Sequence, residues 1–159
     1  MRVPIITSFV VVMWEYNHVV EADVIKSAVW KLYSNVSTWP GWDKGIERIS
    51  LDGEFKEGTV GMIKSEGQDE LPYRLTEVSA ESAFSDEMEI PDAEVTIRFE
   101  HTLEDLGHER TKITHHVVIF GPNADSLGPQ IGSGIASGIP ETMESLVKLA
   151  RQNQSAHNS

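Results

Sequence analysis

His101 and His115 sit in consecutive stretches in which apolar and polar residues alternate, and Asp86 and Tyr73 occupy comparable positions in the two stretches before them. Imidazole titrates near neutral pH, so two such rings on one face could act as a general acid and base, supported by the carboxyl or the phenol. The plainer account makes them hydrogen-bonded inner-face histidines with no chemistry, and geometry must decide between the two. Two histidines and a carboxylate could also make a facial metal triad, but Asp86 falls two strands from His115 in the expected pairing, so no metal is expected. His116 cannot join His115 on a metal, because neighbours on a strand point to opposite faces. The residue types alone assign no catalytic role; His101, His115 and Asp86 are the candidates.

These positions are set by a series of strands. Alternation and turn signals predict strands at Met13–Val20, Ile46–Leu51, Thr59–Ser65, Leu71–Val78, Ala83–Ile90, Glu94–Leu103 and Thr111–Phe120. Immediate succession favours antiparallel pairing. A three-residue loop Leu106-Gly107-His108 would place Phe99 opposite His115, Ile97 opposite Val117 and His101 opposite Ile113. A Pro91-Asp92 turn would set Asp86 opposite Ile97 and Phe84 opposite Phe99, with Tyr73 beside Asp86. The apolar members then share one face, with Tyr73, Asp86, His101 and His115 as its polar exceptions. A mainly apolar concave face with a few polar groups is what a small-molecule site requires.

Helices frame the strands. Asp23 can cap a helix carrying Ile25, Ala28, Val29 and Leu32 at helical spacing, broadened by Trp30 and Tyr33. Ser37–Lys44 reads as a short helix or turn and contains Trp39-Pro40-Gly41-Trp42-Asp43, whose indoles suit the wall or gate of an apolar pocket. Ile139, Met143, Leu146, Val147 and Ala150 form the stripe of a C-terminal helix. Gly128, Gly132, Gly134 and Gly138 weaken its upstream extension by about 1 kcal/mol each relative to Ala, and Pro140 should kink or interrupt it. The Gly132–Gly138 run has the wrong spacing for a dinucleotide loop and lacks the Lys of a phosphate loop.

With 159 residues the chain fits one domain, expected at residues 1–154, with a disordered tail at 155–159. The formal net charge of −12 repels phosphate backbones, so nucleic acid is not an expected partner. No stretch approaches the length of a membrane span, and integral membrane association is not expected. The apolar run Ile5–Trp14 lacks a small-residue cleavage site, so it reads as a leading strand with a ragged start. The absence of cysteine excludes disulfides and fits a cytoplasmic location.

The order of four features resembles the SRPBCC superfamily, which includes START lipid-transfer domains, plant pathogenesis-related ligand binders and polyketide cyclase/dehydrase-like bacterial proteins. These are the Val24–Tyr33 helix with Val29-Trp30; Trp39-Pro-Gly-Trp42-Asp43; Glu57-Gly58-Thr-Val-Gly61 entering a strand; and the Gly107 hairpin with Thr111-Lys-Ile-Thr-His115 before a long last helix. The resemblance covers about Trp14 to Ala150. It implies an α+β helix-grip fold: a seven-stranded curved antiparallel sheet wrapped around a long C-terminal helix, with two short helices after the first strand and an apolar cavity between sheet and helix. It carries no shared catalytic residue and no cofactor. The leading expectation is a protein that binds a small hydrophobic molecule (lipid, polyketide or isoprenoid-like). Trp39, Trp42, Tyr73, Phe84, Phe99 and Ile135 would form the walls, and Asp86, His101 and His115 would orient polar ends. The alternatives are a polyketide cyclase, aromatase or dehydratase using an inner-face histidine, and a protein-interaction or co-chaperone-like module.

Overall fold

In the computed structural model, which describes residues 13–158, seven strands form one antiparallel sheet. They are β1 Met13–Ala22, β2 Ile46–Leu51, β3 Val60–Ser65, β4 Glu70–Ser79, β5 Ala83–Ile90, β6 Val95–Gly107 and β7 Arg110–Phe120. The helices are α1 Lys26–Tyr33, α2 Trp39–Trp42 and α3 Ala124–Asn158, with a 3-10 turn at Val36–Thr38 before α2. The strand order is β1-β7-β6-β5-β4-β3-β2, so successive hairpins run from β2 to β7 and β1 closes onto β7. Most of the apolar run Ile5–Trp14 lies outside the described residues. Among the described residues no helix is long and apolar enough to cross a membrane.

The hairpin registers differ from the expected ones by two residues. His101 pairs directly with His115, Phe99 with Val117 and Ile97 with Ile119. Asp86 pairs with Phe99, Phe84 with His101 and Leu75 with Asp86. The β6–β7 turn falls at His108-Glu109, both with positive φ (55° and 61°), and a bulge lies between Asp105 and Gly107. A two-residue slip leaves every side chain on its original face. The apolar pattern therefore cannot detect it, and only the turn geometry separates the two pairings.

The helices also depart from expectation at their ends. Asp23 does not cap α1; its carboxylate lies 3.4 Å from Arg110 Nε. The N-cap position is Ile25, and its N–H is accepted by Gln154 Oε1 at 3.0 Å. That contact ties the end of α3 to the start of α1, so the helix continues to Asn158 where a frayed tail was expected. α3 also runs without interruption through Pro140. Burial of Ile139, Met143, Leu146, Val147 and Ala150 against the sheet and α1 offsets the missing backbone hydrogen bond.

Two of its glycines have a packing role. A Cβ on Gly132 would overlap the Trp14 indole of β1, and one on Gly128 would come within 3.0 Å of Trp14 Cβ. They let α3 lie against the edge strand. Gly134 and Gly138 face open space.

Candidate functional site

Trp39 and Trp42 are core residues, 4% and 2% exposed. Pro40 at the start of α2 sets the first turn, and the turn brings both indoles inward. Trp39 Nε1 donates to the Tyr33 carbonyl at 3.0 Å, so its polar edge is satisfied inside. Phe84 is the hub of the ring cluster, with centroids 5.0 Å from Tyr33, 5.1 Å from Phe55, 5.7 Å from Trp39 and 6.3 Å from Trp30. Such pairs add about 0.5–1.5 kcal/mol each beyond the area they bury.

These rings occupy the space where an open cavity was expected. Two concavities stand out among the described residues, and neither lies there. One is a groove of about 650 Å³ between β1 and the C-terminal half of α3, lined by residues that include His18, Val20, Val147, Lys148 and Arg151. The other lies on the loop between β2 and β3.

The inner-face histidines form a row. His18, His115 and His101 are directly opposed across β1, β7 and β6. The rings of His101 and His115 meet edge-to-face at 4.6 Å, and His101 stacks on Phe84 at 4.0 Å and 6°. His115 Nε2 and the Tyr33 hydroxyl share a buried hydrogen bond of 2.8 Å, and His101 Nδ1 donates to the Phe84 carbonyl at 3.4 Å. Burial pushes His101 down to about 3. It also holds His115 well below the usual histidine value, with His101 and His18 adding to the effect. Both rings are therefore neutral at pH 7, and both are already hydrogen-bonded. The arrangement meets the requirement that buried polar groups find partners, and it leaves the histidines poorly placed to exchange protons with a substrate.

Asp86 and Tyr73 are different. Asp86 is 6% exposed, and among the described residues its carboxyl makes no side-chain hydrogen bond. Burial first, then the charges of Asp43 and Glu87, push it up to about 8, so it is mostly protonated at pH 7. Tyr73 is 3% exposed, and its hydroxyl is buried without a partner. Burial, Asp86 and Asp52 all raise its ionisation above the ordinary tyrosine value. Asp43 follows α2; burial raises its pKa although its Oδ1 accepts from Gly45 N–H at 3.0 Å.

The candidates are thus divided. Trp39, Phe84, His101 and His115 share one ring cluster, and Trp42 adjoins it through Trp39 and Tyr33. Tyr73 lies at its edge, 6.4 Å from Trp39, near Asp86. Phe99 pairs with Asp86 and is half-buried, and Ile135 is half-buried on α3 against the core. Among the described residues no group of three or more His, Asp or Glu is arranged to hold a metal ion.

Sequence reading missed Tyr33, His18 and Asp43. Tyr33 lies on the apolar stripe of α1, and a phenol on a buried helix face needs a partner, which is a usable signal. His18 alternates with Tyr16 and Val20, but its neighbour His115 comes from the far end of the chain. Only long-range strand pairing reveals that contact.

No protein-family model and no curated protein sequence matches the chain. Solved structures do match in shape. Norcoclaurine synthase from Thalictrum flavum, as a point mutant with a transition-state analogue, superposes with TM-score 0.72 at 16% identity, covering 92% of this chain and 99% of that one. The same enzyme in complex with dopamine and hydroxybenzaldehyde gives 0.68 at 14% identity, covering 96% and 98%. Ara h 8.0201 gives 0.70 at 11% identity, covering 88% and 99%. Likeness at these identities speaks for architecture: the chain has the helix-grip fold, a seven-stranded antiparallel sheet closed by a long C-terminal helix.

Proposed function

We propose that the protein binds a small, largely apolar molecule bearing a polar group, held between the inner face of the sheet and the helices. The Tyr73 hydroxyl, buried without a partner and close to Asp86, carries this reading. A buried polar group left unpaired costs about 1–3 kcal/mol, and a ligand group would recover that cost. The Tyr33–His115 pair shows how the same core treats polar groups that need no ligand. The rings fill the interior, so uptake requires side chains to move. Met88 and Phe99, half-buried on the strands around Asp86, are the ones placed to do so, and a thioether adapts readily.

Native mass spectrometry of the purified protein, with thermal shifts against fatty acids, aromatic polyketides and isoprenoids, tests the proposal. A bound small molecule, or a raised melting temperature that Tyr73→Phe diminishes, supports it. No adduct and no shift with any class overturns it.

A second reading, acid–base catalysis, has one observation in its favour. Asp86 is a carboxyl held mostly protonated at pH 7 and so able to donate a proton, which the two buried histidines are not. A cyclisation or dehydration of an added polyketide would then be lost in Asp86→Asn. Turnover that survives this change removes the reading.

A further inference from the structure

We propose that the free edge of β1 is a self-association surface, on which the β1 strands of two copies pair antiparallel about Tyr16 and join the two sheets into one.

The sheet ends in β1 on one side and β2 on the other, and the two edges are built differently. β2 is six residues long, its pairing with β3 shifts register between Ile46 and Arg48, and Glu47 and Arg48 charge it. Short length, bulges and charge are the devices that keep a sheet edge from accepting another strand. β1 lacks them. It runs for ten residues, pairs with β7 without a shift, and holds no proline or lysine. Its two carboxylates are turned to partners within their own sheet: Glu15 meets His116 at 2.8 Å, and Glu21 approaches Arg110 at 4.0 Å. Among the described residues β7 is the only strand beside β1. The groove between β1 and α3 is lined by His18, Val20, Glu21 and Ala22, so the helix stands off that half of the strand.

The outer face of β1 names the occupant. Four large apolar side chains are exposed among the described residues, and two of them, Met13 at 48% and Val19 at 41%, stand on this face. Residues opposed across an antiparallel pair share a face, so two copies of β1 can meet only in registers that set odd numbers against odd. A two-fold axis at Tyr16 sets Met13 against Val19 of the second copy, twice, and Glu15 against Asn17, whose amide can donate to the carboxylate. The other registers fit worse. An axis at Glu15 or at His18 opposes carboxylates, Glu15 to Glu15 or Glu15 to Glu21. An axis at Asn17 sets each apolar side chain against a carboxylate, and one at Val19 leaves Met13 outside the pairing. Self-pairing about Tyr16 thus covers both exposed apolar residues and opposes no like charges.

Sedimentation velocity of the full chain at pH 7, from about 5 to about 500 µM, tests the proposal. A single strand pairing belongs to the small interfaces, so a reversible monomer–dimer equilibrium in the micromolar range is expected. A monomer at every concentration overturns it. Met13→Glu and Val19→Lys, both at exposed positions, should each weaken association at least about tenfold without changing the circular dichroism. An equimolar mixture of the two variants should associate at least about tenfold more tightly than either alone. The mixed dimer opposes the introduced carboxylate to the introduced ammonium and keeps one Met13–Val19 pair. Association that survives either single change, or a mixture no tighter than its components, overturns the proposal. Hydrogen exchange of the unmodified protein gives a reading independent of the variants. Amides of β1 should gain protection as concentration rises, and equal protection across the range overturns it as well.

Discussion

Tyr33 shows how one atom changes the meaning of its neighbours. Without its hydroxyl, His115 would be a buried imidazole with an open nitrogen, a natural candidate for proton transfer. With it, the ring is hydrogen-bonded and neutral. Tyr33→Phe keeps the ring contacts to Phe84 and His101 and removes only that bond. The variant should lose about 1–3 kcal/mol in urea denaturation, with an unchanged slope against denaturant. A loss within error of zero would mean that the bond is not made. Sequence alone placed His101 and His115 on the inner face, because alternation fixes the face. It could not identify the Tyr33 contact, which joins a helix to a strand far along the chain.

At the scale of elements, α3 and β1 depend on each other through the glycines facing Trp14. Gly132→Ala should destabilise the fold by about 1–3 kcal/mol of overpacking, partly relieved by the ~1 kcal/mol helix advantage of Ala. Gly134→Ala, two residues on and facing open space, should raise stability by up to ~1 kcal/mol. Thermal denaturation of both variants checks the opposite signs; a stabilised Gly132→Ala would mean that Trp14 does not hold the position described. The glycine run was visible in the sequence as a helix weakness, but its cause was not, because Trp14 is more than a hundred residues away. The hairpin registers were likewise legible only up to a slip of two. Alternation names the face, while the His108-Glu109 turn and the Asp105/Gly107 bulge decide the partner.

For the molecule as a whole, the buried ionisable groups dictate a pH profile. His101 and His115 have depressed values, so the stability they permit is present above the ordinary histidine value of 6.5 and is lost as pH falls below it, for His101 toward about 3. Asp86 has a raised value, so its contribution is present below 3.8 and is lost as pH rises toward about 8. His116 acts on the same side as Asp86. Burial lowers it, but its contacts with Glu100 at 2.7 Å and Glu15 at 2.8 Å outweigh that and raise it, so its contribution fades above 6.5. Each proton is worth about 1.4 kcal/mol per pH unit across its window. Between 3.8 and 6.5, two histidines oppose Asp86 and a smaller contribution from Asp43, and the histidines prevail. Stability should therefore peak near pH 6.5 and fall on both sides, and Asp86→Asn should flatten the alkaline fall. Urea melts at pH 5, 6.5 and 8 decide the matter, and a profile still rising at pH 8 would contradict it.

The sequence by itself determined the seven strands, the face each residue would take, the helical stripes and the acidic character, because these follow from local periodicity and composition. Tertiary structure decided which inner-face polar groups are satisfied and which are left open. His101 and His115 found partners in a carbonyl and a phenol, whereas Asp86 and Tyr73 did not. Local spacing can show that a polar side chain points inward. Whether another group is waiting there depends on strands and helices brought together from distant parts of the chain.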